Sequence, residues 1–348
     1  MAIIDKPSDY FNTKLYTGTG SSLAITGVGF TPDWVWIKER NGASGHIFKD
    51  TVRGATPTLV ANQTSAESSY DAFFTSFDSD GFTLPSNGAT NESSSLNYVS
   101  WNWKAGGSAS SNSNGSITSS VSANTDAGFS IVSFTGNATA GATIGHGLGS
   151  VPSLILTKNR DSAYNWHLWT HAFSSYNDTI QLNTTAAKDT GTLLNNTAPT
   201  SSLITLGSSA VLNASGEKII AYVFSEKQNY SKFGSYTGNG NADGTFIYTG
   251  FSPAFVMVKR TNSANSWNIK DNRRNNASTS FNINPRNATL LPNDSAADQD
   301  ANALDFLSNG FKNRSTGNDA NNASGTYIYM AFASNPFTTS SGVPATAR

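Results

Sequence analysis

The chain has 348 residues, enough for two or three domains of ordinary size, and only 13% of them are charged, with a net charge of −1. So few Lys and Arg side chains argue against broad binding to nucleic acid or to an anionic membrane. The absence of cysteine excludes disulfides and thiolate chemistry. The apolar runs are too short to cross a bilayer, and the N-terminal segment lacks a signal-peptide pattern, which predicts synthesis without conventional export.

One pattern of turns and strands occurs three times along the chain. Each copy opens with an aromatic-Thr-Gly turn and continues with a glycine-rich turn that ends in Pro32, Pro152 or Pro253. A short β-branched and aromatic strand follows each proline. Proline at the start of a strand costs no ladder hydrogen bond, so we expect the three prolines to be equivalent. Each strand then ends in a basic pair: Lys38 and Arg40, Lys158 and Arg160, Lys259 and Arg260.

Copies 1 and 3 share two further signals. A charged turn runs from Lys49 to Arg53 in copy 1 and from Lys270 to Arg273 in copy 3. The dipeptides Asp80-Gly81 and Asn309-Gly310 each stand between apolar residues and predict hairpins, because both residues of such a turn tolerate positive φ.

Each copy closes on an aromatic strand whose alternate residues share a face. These pairs are Trp101 and Trp103, Tyr222 and Phe224, and Tyr327 and Tyr329. Helical periodicity is weak throughout, and residues 64–76 and 294–307 are the two places where a short helix is predicted.

These patterns predict an all-β fold of three tandem β-sandwich-like repeats with short helices at most. Repeat 1 is expected over 1–107, repeat 2 over 108–230 and repeat 3 over 231–337, followed by an extended tail over 338–348. The low-complexity segment 105–116 has little side chain to bury and predicts a flexible linker. No linker separates repeats 2 and 3, which are therefore expected to pack rigidly against each other.

Several motifs together resemble a known family. They are the opening Pro7–Gly18, the glycine-rich block Gly141–Gly149 with Lys158, Arg160 and Trp166, and Lys232–Gly240 with Tyr248–Pro253. Over nearly its whole length the chain is similar to repeat-containing virion structural proteins, tail-fibre-like or on the capsid surface, of marine tailed phages, including cyanophages. The resemblance implies a non-enzymatic all-β protein on the virion surface, made in the host bacterial cytoplasm. It carries over no catalytic residue.

The four histidines are candidates for a metal site. His167 and His171 are four residues apart on an aromatic strand and would share a face, whereas His146 lies in a glycine-rich turn where it is expected to bond backbone groups. With His46 they do not form a zinc motif, and a zinc site needs three or four converging ligands. We therefore expect no metal and no cofactor.

Acidic residues suggest two other kinds of site, a calcium loop and a glycosidase active site. Asp78 and Asp80 suggest a calcium loop, but copy 3 has Leu307 and Asn309 at these positions, so turn chemistry explains both copies better. The pairs Glu39 with Asp50 and Glu67 with Asp71 suggest a glycosidase, which needs two carboxylates about 5–9 Å apart across a cleft. No acidic residue recurs in all three copies. Gly18–Gly20 and Gly145–Gly149 lack the Gly-Lys-Ser/Thr of a phosphate loop and indicate turns.

Most of the aromatic side chains recur at inward strand positions and are expected in the core, whereas Tyr70, Tyr176 and Tyr230 are better candidates for contacts. The Asn-X-Ser/Thr triplets are expected by chance in so Asn- and Ser-rich a chain, and not as glycosylation sites. They occur for example at Asn137, Asn183, Asn213 and Asn276.

The sequence favours a non-enzymatic phage surface protein with a tail-fibre-like or adhesin role in host contact. The alternatives are a capsid decoration or knob protein that binds other coat subunits and, from another class, a glycan depolymerase. Uncovered sheet edges predict a homo-oligomer, with a trimer favoured by analogy with other phage parts. The expected partners are other virion proteins and a host surface glycan or receptor, with no nucleic acid and no membrane insertion.

Overall fold

The computed structural model describes residues 3–69, 73–86, 88–92, 95–274 and 284–345. Within these residues nearly all of the regular secondary structure is β-strand. One 3-10 turn spans Pro7–Asp9 and one short helix, α1, spans Ala210–Asn213.

Repeat 1 consists of a larger and a smaller antiparallel sheet. The larger sheet has the order β1-β9-β3-β4-β5-β6, and the smaller sheet has the order β2-β8-β7. The strands are β1 (Phe11–Thr17), β2 (Leu23–Ile25), β3 (Trp34–Glu39), β4 (Ile47–Asp50), β5 (Gly54–Val60), β6 (Ser68–Ser69), β7 (Ser76–Asp78), β8 (Gly81–Leu84) and β9 (Asn97–Trp103).

Repeat 2 has an eight-stranded and a two-stranded sheet. Their orders are β10-β11-β12-β19-β14-β15-β16-β17 and β13-β18. The strands are β10 (Ser110–Asn112), β11 (Ser119–Asn124), β12 (Phe129–Thr135), β13 (Thr143–Gly145), β14 (Leu154–Asn159), β15 (His167–Thr170), β16 (Asp178–Gln181), β17 (Asp189–Thr190), β18 (Leu203–Thr205) and β19 (Lys218–Phe224).

Repeat 3 has two four-stranded sheets. Their orders are β20-β27-β22-β23 and β21-β26-β25-β24. The strands are β20 (Ser231–Thr237), β21 (Phe246–Tyr248), β22 (Phe251–Arg260), β23 (Asn268–Asp271), β24 (Arg286–Thr289), β25 (Gln299–Leu307), β26 (Gly310–Asn313) and β27 (Thr326–Pro336).

The three repeats share the order and register of four strands: β1-β9-β3-β4, β12-β19-β14-β15 and β20-β27-β22-β23. In each, the closing strand lies between the opening strand and the strand that follows the proline. The cross-strand pairs Trp34–Trp103, Leu154–Phe224 and Phe255–Phe332 are equivalent. Pro32, Pro152 and Pro253 each precede the first member of such a pair by two residues, which confirms that the three prolines are equivalent. Pro253 does not stand at a strand entrance as predicted, because β22 begins at Phe251 and the register shifts on either side of the proline. The all-β fold of three tandem sandwich-like repeats is likewise confirmed.

Each repeat has its own apolar core between its two sheets. Repeat 1 packs this inner core around Phe82 and Tyr98, repeat 2 around Val132 and Ile219, and repeat 3 around Phe311 and Tyr327. We call the sheets that contain the closing strands β9, β19 and β27 the main sheets. Their other faces meet in one central cluster to which all three repeats contribute, including Trp34, Tyr222, Phe224, Phe255 and Phe332. The main sheets are thus buried on both faces, which explains strands such as β3 and β14 with no exposed residue.

The low-complexity segment 105–116 is not a loosely attached linker, and that prediction is wrong. Asp33 accepts hydrogen bonds from the backbone of Ala105 and Gly107, and β10 pairs with β11. A Cβ on Gly106 would lie 2.4 Å from the Ala123 oxygen, so the glycine permits a close backbone approach.

Three other expectations concern local structure. The hairpins at Asp80-Gly81 and Asn309-Gly310 are confirmed. Residues 294–307 hold strand β25 in place of the predicted helix, and the described part of 64–76 holds β6 and the start of β7. Residues 338–345 turn back on themselves through a bridge between Thr338 and Pro344, where an extended tail was expected.

Candidate functional site

One position of the repeat, on the strand that follows the basic pair, contacts the next repeat in all three copies, and in two of them it does so through a hydrogen bond. The Trp166 indole of repeat 2 donates to the Val60 carbonyl of repeat 1 at 3.0 Å, and the Trp267 indole of repeat 3 donates to the Gln181 carbonyl of repeat 2 at 2.9 Å. His46 occupies the same position in repeat 1 and faces the backbone of Leu291 in repeat 3. Each repeat therefore contacts both others around the central cluster.

His46 replaces the tryptophan of the other repeats and is fully buried. Its Nδ1 accepts a hydrogen bond from the Trp36 indole at 2.9 Å, so the proton of the neutral ring lies on Nε2. Nε2 faces Leu291 and Asp294 but makes no hydrogen bond of normal geometry to them. Burial, assisted by the charge of Lys38, holds the pKa of His46 well below its usual value. A neutral buried histidine in this position serves packing.

The lysines of the three basic pairs are completely buried and equivalent. Their ammonium groups donate to backbone carbonyls of the following turn: Lys38 to Gly42, Lys158 to Ser162 and Lys259 to Asn265. Burial lowers the pKa of each of these lysines to about 8. They hold turns together and do not form a basic surface.

The arginine of the basic pair connects repeat 2 to repeat 1. Arg160 donates to Glu67 at 2.7 Å, and Glu67 also accepts from Arg53 at 3.0 Å. Arg53 pairs in turn with the buried Asp50 at 2.5 Å, and the Tyr222 hydroxyl donates to the same carboxylate at 2.7 Å. Burial would raise the pKa of Glu67, but Arg160 and Arg53 outweigh burial and hold it below the usual value.

An equivalent network of acids and arginines connects repeat 1 to repeat 3. Arg40 donates to Asp298 at 2.9 Å, and Arg274 links Asp298 to the buried Asp271. The Trp101 indole donates to Asp271 at 3.0 Å, as Tyr222 does to Asp50. The residue equivalent to Arg53 is therefore Arg274, whereas the sequence pattern pointed to Arg273, so that assignment was wrong by one residue. We call these two sets of contacts the arginine interfaces.

The repeat 2–3 interface has the same backbone contact without the arginines. Lys188 N donates to the Thr261 carbonyl, as Glu67 N does to Arg160 and Asp298 N to Arg40. Thr170 occupies the position of the buried acids Asp50 and Asp271. Phe173 occupies the position of Arg53, and the Lys188 ammonium lies 5.8 Å from the centre of its ring. At the chain junction, Lys232 and Glu226 form a partly exposed ion pair at 2.8 Å.

The other candidate acids are occupied by turns and interfaces. Asp80 accepts from the backbone of Gly27 and Gly29 at 2.8 and 2.6 Å, and Asp78 accepts from the Ser76 and Thr83 hydroxyls. Within each proposed glycosidase pair, Asp50 and Glu67 are bound to arginine and Glu39 to the Ser44 hydroxyl. Asp71 lies outside the described residues.

The remaining histidines serve separate parts of the fold. His146 is buried and bonds the backbone of Leu148 and Thr200, which confirms the turn role predicted for it. His167 is half-buried, and His171 is exposed with its Nε2 3.0 Å from the Phe233 carbonyl. Among the residues that the structure describes, no group of three or more His, Asp or Glu side chains is placed to hold a metal ion.

A groove between repeats 2 and 3 concentrates exposed apolar side chains. It has a volume of about 640 Å³ and is lined by Val151, Tyr248 and Phe337, which are 55%, 60% and 37% exposed. Glu226 and Lys232 border it, so an apolar floor lies beside a fixed pair of opposite charges. We call this site the Tyr248 groove.

The contact candidates chosen from sequence fit this site poorly. Tyr230 is fully buried, so its selection was wrong, and Tyr70 lies outside the described residues. Tyr176 is 40% exposed but stacks on Trp169 away from the groove. A signal for Tyr248 was present in β21, where the exposed Phe246 and Tyr248 flank the buried Ile247.

A family model described as a domain of unknown function (DUF7483) matches residues 6–336. The chain belongs to this family. No curated protein and no solved structure matches it. The match spans all three repeats, so the family unit includes the central cluster and both arginine interfaces. In the described part of the chain, no helix has the length and apolarity needed to span a membrane.

Proposed function

We propose that this chain is a non-enzymatic structural protein on the surface of a tailed-phage particle, with a tail-fibre-like or adhesin role in host contact. The observation that carries the proposal is the Tyr248 groove. Large exposed aromatic side chains beside polar groups are typical of binding sites and not of inert surface. The assignment to a phage particle rests on the resemblance of the chain to virion proteins of marine phages.

The rest of the molecule supports a scaffold role. Its buried histidines, lysines and acids are committed to packing, turns and interfaces between repeats. Three repeats closed around one apolar cluster give a rigid body without disulfides, as a part exposed outside a cell requires.

Self-association is part of the proposal. In the described part of the chain, the sheets that contain the closing strands end in edge strands, such as β10 in repeat 2 and β20 in repeat 3. Free edges invite pairing with another copy or with a neighbouring virion protein. A homotrimer is the arrangement we expect in solution, measured by sedimentation of the purified chain.

The experiment combines location and competition. Antibody-gold labelling of purified phage particles is expected to mark the tail, and the purified chain is expected to compete with phage for adsorption to host cells. Replacing Tyr248 and Phe337 by alanine should weaken competition at least tenfold, because truncating a central aromatic contact costs about 2 kcal/mol or more.

Tyr176→Ala is the matched control, since Tyr176 is an exposed tyrosine outside the groove. Label on the capsid, without competition, would support a decoration protein that binds coat subunits. Release of sugar fragments from host polysaccharide by the pure chain would contradict the non-enzymatic role.

A further inference from the structure

A second cavity, of about 440 Å³, lies between repeats 1 and 3 on another side of the molecule. Repeat 1 contributes residues of β1, and repeat 3 contributes residues around β23, β24 and the end of β27. Most of the lining side chains are Ser, Thr, Asn or Arg. Neither the repeat pattern nor the arginine interfaces account for this polar cavity.

Arg286 lines the cavity, and two of its three guanidinium nitrogens lack a hydrogen-bond partner in the described part of the chain. Its Nε and Nη1 are buried and make no hydrogen bond among the described residues. Its guanidinium carbon lies 5.9 Å from the centre of the Phe306 ring. Burial lowers the pKa of Arg286, an effect that the charge of Asp271 partly offsets. A partly buried cation whose buried nitrogens lack a hydrogen-bonded anion is costly, which indicates a site prepared for one.

Asp271, the carboxylate whose charge acts on Arg286, cannot serve as that anion. Asp271 accepts hydrogen bonds from the backbone of Arg273 and Arg274, the Arg274 side chain and the Trp101 indole. Its oxygens are therefore engaged at the arginine interface. Arg273, at the same cavity, is exposed and forms no ion pair in the described part of the chain.

Thr13 gives a second, independent observation. It lines the cavity, is 4% exposed, and its hydroxyl has no hydrogen-bond partner among the described residues. The equivalent positions in the register are the apolar Ile131 and Phe233, opposite Tyr222 and Met330 as Thr13 is opposite Trp101. A buried hydroxyl without a hydrogen-bond partner lowers the stability of the folded chain, and a bound polar ligand would restore that stability.

We propose that this cavity binds the carboxylate of an acidic sugar. Arg286 and Arg273 would hold the carboxylate, because a guanidinium presents paired donors that match two oxygens. Thr13 and the Ser and Asn side chains of the lining would bond sugar hydroxyls, and the Phe306 ring offers an apolar face. An acidic peptide would use the arginines but few of these hydroxyl-binding groups. The proposal goes beyond the particle role and does not depend on it.

The test is calorimetric titration of the full chain with trigalacturonate. Its fully methyl-esterified form, which lacks the charge, is the neutral comparison, and inorganic phosphate and triglutamate represent the other anion sources. We expect trigalacturonate to bind and the ester, phosphate and triglutamate to bind at least tenfold more weakly.

Three variants locate the site. Arg286→Gln should weaken trigalacturonate binding at least tenfold, with smaller losses in Arg273→Gln and Thr13→Val. Arg260→Gln, which changes an arginine outside the cavity, should bind as the parent does. Arg286→Gln should also unfold at the same temperature as the ligand-free parent or above it, because it removes a partly buried charge whose buried nitrogens have no hydrogen-bond partner among the described residues.

The outcomes are decisive in each direction. Absence of trigalacturonate binding, or equal binding by the parent and the Arg273→Gln and Thr13→Val variants, overturns the proposal even if Arg286→Gln fails to fold. Preferential binding of phosphate or triglutamate overturns the sugar assignment. Because binding is measured on the purified chain, its failure is distinct from failure of the adsorption experiment.

Discussion

The arginine interfaces and the repeat 2–3 interface solve the same packing problem with different chemistry. Two interfaces bury an Asp–Arg pair and extend it to a second acid and a second arginine across the boundary. The third places Thr170 and Phe173 at those positions. Buried ion pairs contribute little net stability over apolar packing, but they are intolerant of a wrong partner.

This difference has a geometric consequence. In a closed ring of three, two correct neighbour contacts leave only one arrangement for the third. We infer that the arginine interfaces specify which repeat lies beside which, and that the repeat 2–3 interface then needs only shape and apolar area. The direct chain connection between repeats 2 and 3 gives that interface a further constraint.

The largest effect is expected when one member of a buried pair is removed. Asp50→Ala removes the carboxylate that pairs with the buried Arg53 and that accepts the hydrogen bond of the Tyr222 hydroxyl. This change should lower the free energy of unfolding by about 3–5 kcal/mol. The matched change Thr170→Ala in the repeat 2–3 interface should cost only about 1 kcal/mol. Urea denaturation of the full chain measures both. Equal costs would remove the distinction between the interfaces.

A smaller effect is expected when an arginine interface is converted toward the third. The double variant Asp271→Thr/Arg274→Phe removes both charges, so it should be less destabilised than Asp271→Thr alone. The two changes should couple by about 1–3 kcal/mol, measured by a double-mutant cycle in urea. Additive losses would show that the pair does not act as a unit.

The smallest effect is expected on the folding stability of the chain at acidic pH. Burial would raise the pKa of Asp271, but Arg274 and the backbone of Arg273 outweigh burial and hold it below its usual value of 3.8. The unfolded chain therefore takes up this proton first as the pH falls, so stability present above about pH 4 is lost on acidification.

Denaturation at pH 5 and pH 3 tests this titration. The Asp271→Thr/Arg274→Phe variant should lose less stability between these pH values than the parent, whereas Thr170→Ala should lose as much as the parent. An unchanged acid dependence in the double variant would contradict a role for this carboxylate.

Local sequence patterns predicted much of the fold. Strand residues after each proline, the Asp80-Gly81 and Asn309-Gly310 turns and the alternating aromatic residues of β9 and β19 act over a few residues and were predicted. In β27 the pair chosen from sequence was wrong: Met330 and Phe332 are equivalent to Trp101 and Trp103 and face the central cluster, whereas Tyr327 and Tyr329 face the core of repeat 3. The same reasoning failed for 105–116, because a glycine-rich segment suits a flexible linker and a close backbone approach equally well. The Ala123 carbonyl beside Gly106 belongs to a neighbouring strand, and short-range patterns contain no information about it.

The binding sites depend on distant residues. Val151 of repeat 2 meets Tyr248 and Phe337 of repeat 3 only when these two repeats pack together. Thr13 meets Arg286 only because repeats 1 and 3 are neighbours. Arg160 and Glu67 are 93 positions apart. Their residue types were visible from the start, and Glu67 was even considered as a catalytic acid. Docking of the three repeats assigned it to an interface, since the free energy of a buried charge depends on which groups surround it and not on the local sequence.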